Sequence, residues 1–116
     1  MTEEGSLKST VKDYLQLLEN QGKLWFTQLN AGGIVIEGEK RRYFQGVKRG
    51  TADFEVIMEV DDKYYGRSYP RAIFLELKSE KGKQTKEQKE FEQSVKDFGC
   101  EYHIVRTLEE LESVLK

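Results

Sequence analysis

Apolar residues in this chain recur with two different periods, and those periods assign the elements. Leu7, Val11, Tyr14, Leu15 and Leu18 fall at helical spacing, which predicts an amphipathic helix from about Thr2 to Gln21 that stops at Gly22. Glu4 lies on the same stripe, three residues before Leu7 and seven before Val11, so its carboxylate is expected to lean toward the packed side where that of Glu3 is not. Lys23 to Leu29 alternates Leu24 and Phe26 with Trp25 and Thr27 and reads as a strand, broken by Ala31-Gly32-Gly33.

Ile34 to Gly50 holds Ile34-Val35-Ile36, a turn at Gly38 and Arg42-Tyr43-Phe44, and is read as a flexible hairpin or loop. A strand follows from Ala52 to Glu59, with Phe54, Val56 and Met58 on one face and Asp53 on the other. Asp61 to Tyr69 reads as a polar, tyrosine-rich turn. The clearest strand is Arg71 to Lys78: Ile73, Leu75 and Leu77 share one face, and Phe74, Glu76 and Lys78 the opposite one. Beyond a basic loop at Glu80 to Gln84, Thr85-Lys86-Glu87-Gln88 opens a helix with Phe91, Val95 and Phe98 on one face and Gly99 as its stop. Gln88 belongs to the inner face of that helix. Glu101 to Arg106 is a last strand, and Thr107 begins a short helix that turns Leu111, Val114 and Leu115 inward.

The order is helix, strand, loop or hairpin, strand, strand, helix, strand, helix. It predicts an α/β fold with a mixed central sheet flanked by helices. At 116 residues the expectation is one domain over 1–116, and an apolar fraction of 37% beside 34% charged residues favours a folded chain over a disordered one. Cys100 is the only cysteine and His103 the only histidine, which argues against an intrachain disulfide, a cysteine-cluster zinc site and a histidine-based triad. No apolar run is long enough for a membrane span, and no basic-then-apolar leader is seen at the N-terminus; the expected place of work is the cytoplasm, with no membrane partner.

The net charge of -2 hides local separation. Lys40, Arg41, Arg42, Lys48 and Arg49 form one basic stretch, and Lys78, Lys81, Lys83, Lys86 and Lys89 another. They flank two carboxylates, Asp53 and Glu76, an arrangement that would draw in a polyanion while keeping acidic ligands at its centre. Charge runs are ordinarily solvated faces, so this pattern gains meaning only from the chemistry beside it.

That chemistry is phosphodiester hydrolysis. The reaction needs a neutralised phosphate, an activated water and a stabilised leaving oxygen, and magnesium held by one or two carboxylates assists all three. Asp53 and Glu76 could supply the carboxylates. Lys78, on the same face as Glu76, could hold the attacking water or meet charge developing on phosphorus. Each residue also has an ordinary reading. Glu-x-Lys decorates exposed strands, Asp beside a glycine-rich turn is turn chemistry, Glu3 and Glu4 suit the first turn of a helix, and Thr85 with Gln88 makes a capping box. The case rests on their conjunction and order.

In that order, Glu4, Asp53, Glu76-x-Lys78 and Gln88 resemble the virus-type replication-repair nuclease (VRR-NUC) domain, a branch of the PD-(D/E)xK nuclease superfamily. The resemblance spans almost the whole chain, through Asn30-Ala31-Gly32, the turn Gly50-Thr51-Ala52-Asp53, Leu75-Glu76-Leu77-Lys78, Gly82 and Thr85-Lys86-Glu87-Gln88. It implies that Asp53 and Glu76 bind Mg2+ or Mn2+, with the Leu77 carbonyl as a further ligand. It also implies that Glu4 adds a carboxylate, Lys78 is the catalytic lysine and Gln88 positions the water, a ligand or the substrate. Ala52 stands where family members often carry proline, and Glu3 is an adjacent rival for the first-helix acid.

The resemblance further implies a metal-dependent, structure-specific endonuclease that leaves a 5'-phosphate, and stand-alone viral and bacterial members look like homodimers acting on branched DNA. A four-way (Holliday) junction, two-fold symmetric like such a dimer, is the leading substrate expectation. A flap or other nuclease of the same fold and a noncatalytic nucleic-acid-binding module are the alternatives. Lys40, Arg41, Arg42, Lys48, Arg49, Lys81 and Lys83 are the expected DNA contacts, and Trp25, Tyr43, Phe44, Tyr64, Tyr65 and Tyr69 could line a dimer surface or stack on opened bases.

Overall fold

The computed structural model describes residues 3–29, 33–36 and 42–116, with 33–36 and 42–45 described in backbone only. The chain runs α1 (Glu3–Asn20), β1 (Trp25–Gln28), β2 (Gly33–Ile36), β3 (Arg42–Gln45), β4 (Phe54–Asp62), β5 (Arg67–Leu77), α2 (Lys86–Asp97), β6 (Glu101–Val105) and α3 (Leu108–Val114). Four strands form a mixed sheet in the order β1-β4-β5-β6. The first three are antiparallel, whereas β6 lies parallel to β5 after the α2 crossover. The 34–50 segment expected as a hairpin or loop contains a separate antiparallel pair, β2 with β3.

The period-two pattern of β4 and β5 sends Phe54, Val56, Ile73, Leu75 and Leu77 to one face. There they meet Val11 and Leu15 of α1, Val105 of β6, and Leu111 and Leu115 in and beside α3. At ~1.5–3 kcal/mol for each large aliphatic side chain withdrawn from water, this layer is the main source of stability. Arg71 ties α3 to it: its guanidinium makes a bidentate pair with Glu101 at 2.6 and 2.7 Å and donates to the Val114 carbonyl at 3.0 Å.

The opposite face is covered by α2 through Phe91, whose ring meets Phe74 edge-on at 5.1 Å and Tyr102 at 6.1 Å. Both faces of β5 are therefore covered at its C-terminal end, so the Glu-x-Lys pair is buried where an exposed strand would have left it in water. The Thr85–Gln88 capping box expected from the sequence opens α2: Gln88 N–H donates to Thr85 Oγ1 at 3.1 Å, and Thr85 N–H to Gln88 Oε1 at 2.9 Å.

One expectation is corrected. Asp61 to Tyr69 is not a long turn, because β4 and β5 stay paired out to Asp62 and Arg67. The reversal occupies only 63–66, where Asp62 Oδ1 accepts the N–H groups of Tyr64 and Tyr65 at 3.1 and 3.3 Å. Polarity in this segment reflects solvent on both faces of a projecting hairpin, not irregular backbone.

Candidate active site

The sheet ends unevenly, and the site sits on that step. β5 runs past the start of β4, so the Leu77 N–H has no β4 ladder partner; the Asp53 carboxylate takes it instead, Oδ2 accepting at 2.7 Å. Asp53 is itself fixed through its backbone, its N–H donating to Leu75 O at 3.0 Å and its carbonyl accepting from Leu29 N–H at 2.8 Å. An extended residue carries its N–H and C=O on the same edge, so the Leu77 carbonyl also lies on the Asp53 side of β5.

Glu76 and Lys78 follow on the face covered by α2. Both are buried, and Lys78 Nζ lies 3.7 Å from Glu76 Oε1. Gln88 reaches the same oxygen from the first turn of α2, Nε2 donating at 2.9 Å. Glu76 Oε2 is buried and, among the described residues, has no hydrogen-bond partner. Its neighbour Asp53 is an acceptor too, unless a proton lies between them. Burial first, and the Asp53 charge second, push the Glu76 carboxyl up to about 8, against the opposing pull of Lys78.

Two elements hold this geometry from outside. Gly50, with φ of +87°, lies so close to α2 that a Cβ there would meet the Glu87 carbonyl oxygen at 2.4 Å. The turn leading to Asp53 is thereby seated against the helix that carries Gln88. On the other flank Arg106, one residue past β6, donates to the carbonyls of Ser79 at 2.5 Å and Gly82 at 2.9 Å, pinning the loop that follows Lys78.

Of the residues singled out in the sequence, Asp53, Glu76, Lys78 and Gln88 are brought together. Glu4 is not brought into the cluster with them. It is exposed, its charge is felt only weakly at Glu76, and among the described residues no three His, Cys, Asp or Glu side chains converge to hold a metal. The expectation that Glu4 leans into the packed side is corrected, because the first turn of α1 leaves it in solvent. Its rival Glu3 accepts the Glu80 N–H at 3.2 Å, a loop contact outside the carboxylate pair.

Lys48, Arg49, Lys81 and Lys83 are exposed. Lys40 and Arg41 lie outside the described residues, as does the Asn30-Ala31-Gly32 break, and Arg42 is described in backbone only. Sequence reasoning missed Lys8, whose Nζ lies 3.7 Å from Asp53 Oδ1, and Arg106. No sequence spacing singles out Lys8, which becomes a partner of Asp53 only when α1 packs beside the start of β4. His103 pairs with Glu101 at 3.1 Å and takes no part in the site.

Among the described residues no helix is long and apolar enough to cross a membrane. Compared with protein-family models, with curated proteins and with solved structures, the chain matches none.

Proposed function

We propose that this chain is a metal-dependent nuclease hydrolysing phosphodiesters in branched DNA, with a PD-(D/E)xK type of core. Asp53 and Glu76 are its metal-holding carboxylates and Lys78 its catalytic lysine. One observation carries the reading: Glu76 is buried against Asp53 with Oε2 left without a partner among the described residues, while Lys78 and Gln88 occupy Oε1. Two acidic groups so placed need either a shared proton or a cation, and a buried oxygen without a donor fits a cation.

All the donors are hard oxygens, which suits Mg2+ or Mn2+ and not a thiophilic metal. Asp53 Oδ1, Glu76 Oε2 and the Leu77 carbonyl are the atoms that would hold the ion. Bound there, it would supply positive charge to the phosphate and lower the pKa of a water so that its proton is lost and hydroxide is available to attack.

The protein's own groups do the positioning. Leu77 N–H holds Asp53 Oδ2, so that carboxylate presents one defined oxygen. Gln88 fixes the rotation of the Glu76 carboxylate. Lys78, anchored on the Glu76 oxygen that Gln88 also holds, is placed to orient water and to meet negative charge as oxygen adds to phosphorus and the P–O bond to the leaving strand breaks. The leaving oxygen collects a proton to become a hydroxyl, and the VRR-NUC resemblance implies that the phosphate stays on the 5' end.

The choice of branched DNA, a four-way junction first, and of a homodimer rests on that resemblance; exposed Lys48 and Arg49, just before the turn into Asp53, and exposed Lys81 and Lys83, in the loop after Lys78, add basic groups. The test is cleavage of matched four-way junction, flap and linear duplex DNA with Mg2+ or Mn2+. Lys78→Ala and EDTA serve as controls. Paired symmetric cuts in the junction, lost in both controls, are expected. Cutting of flap or duplex instead would change the substrate and keep the site. Binding of all three without cutting would mark a noncatalytic module.

A further inference from the structure

The two lysines at the site are not equivalent. Lys78 is anchored inside, its side chain 10% exposed, whereas Lys8 approaches from α1 with its side chain 40% exposed. Because Leu77 N–H fixes Asp53 Oδ2, the oxygen left for a cation is Oδ1, and Lys8 Nζ sits against it at 3.7 Å. A divalent ion on that oxygen would share it with the ammonium group, and like charges competing for one oxygen at such short range are poorly screened. Lys8 has a flexible four-carbon stem open to solvent, so swinging outward is its least costly response. Glu4, one helical turn back, is exposed and offers only a water-screened pair, so the strongest anion open to the freed lysine would be the DNA phosphate drawn to the ion.

We infer that Lys8 is a cation latch: it holds Asp53 Oδ1 in the metal-free protein, yields that oxygen to the metal, and then binds a non-bridging oxygen of the substrate phosphate. The inference rests on the nuclease reading. Lys78 cannot exchange partners in this way, because it is enclosed beside Glu76 and its loop is pinned by Arg106. The latch keeps Asp53 paired in the absence of metal and couples metal entry to capture of the phosphate.

Mn2+ binding to the full chain, followed by electron paramagnetic resonance without DNA, reads the first half. Lys8→Met is expected to bind Mn2+ roughly two- to fivefold more tightly, the fold-change of a partly exposed ion pair, and Lys8→Arg to stay near wild type. Junction binding in Mg2+, with Lys78→Met present to prevent turnover, reads the second half. Adding Lys8→Met should weaken binding and lower the slope of log K against log salt by about one. Unchanged Mn2+ affinity in Lys8→Met, with wild type binding and cleaving normally, overturns the latch and leaves the nuclease reading intact. Tighter Mn2+ binding with an unaltered salt slope overturns the phosphate contact. A wild type that binds no Mn2+ overturns both readings.

Discussion

Gln88 joins helix α2 to Glu76 with its two ends: Oε1 accepts the Thr85 N–H at 2.9 Å to close the capping box, and Nε2 donates to Glu76 Oε1, also at 2.9 Å. The structural and the functional readings of this residue are therefore not alternatives. The cap fixes the side chain, and the fixed side chain orients a buried carboxylate.

Two substitutions separate those roles. Thr85→Ala removes the Oγ1 acceptor of the cap but keeps the backbone N–H that holds Gln88 Oε1, so it should cost ~1 kcal/mol of stability, read by urea unfolding, while the cleavage rate per folded molecule stays near wild type. Gln88→Ala should cost a similar amount and in addition reduce metal affinity or cleavage ~10–100-fold, as the loss of a group orienting a metal ligand does. Equal losses of activity in the two variants would place the effect in helix α2 as a whole.

The raised Glu76 carboxyl gives opposite pH trends for folding and for metal binding. In the metal-free protein the folded state keeps a proton that the unfolded chain releases above about 4.5, so stability in EDTA should fall as pH rises from there through about 8. Binding of Mn2+ must expel the same proton, so affinity should rise by about tenfold per pH unit and level off near pH 8. Urea midpoints and Mn2+ titrations from pH 5 to about 9 check both trends. Glu76→Gln should flatten the stability profile over this range.

Gly50 is expected to tolerate no side chain. Gly50→Ala places a Cβ 2.4 Å from the Glu87 carbonyl oxygen in a backbone region that L residues avoid, so either the turn or α2 must move. A loss of ~1–3 kcal/mol is expected, with weakened cleavage even where the protein remains folded, because movement of α2 carries Gln88 away from Glu76. Denaturant unfolding alongside cleavage assays below the transition separates the two effects.

How far the sequence reveals this arrangement depends on the range of each interaction. The capping box was legible because Thr85 and Gln88 are one turn apart, and the Ile73, Leu75, Leu77 alternation fixed the face of Glu76. Burial of that face was not legible, since it depends on α2 crossing back over β5 and seating Phe91 on Phe74. Lys8 reads as one more exposed helix cation until α1 is brought to the start of β4, and Arg106 as the end of a strand until the loop at Ser79 folds onto it. Glu4 shows the reverse failure: helical periodicity placed it on the packed stripe, but it does not report where the covering sheet ends.

Arg106 should behave as a positioning residue for Lys78. Its guanidinium satisfies the Ser79 and Gly82 carbonyls, while the backbone N–H of Lys78 is held by the Val105 carbonyl at 3.1 Å, immediately before Arg106. Arg106→Ala leaves those carbonyls to water and should cost ~1–3 kcal/mol. Amide exchange should accelerate at Gly82 and its neighbours before it does in β5. Arg106→Lys restores charge without the planar fork and should recover only part of the protection. If Lys78 depends on this loop for its place beside Glu76, cleavage at saturating DNA should fall in Arg106→Ala while Mn2+ affinity holds, because Asp53 and Glu76 are fixed by the sheet and by Gln88. Loss of Mn2+ affinity in that variant would show that the clamp supports the carboxylates themselves.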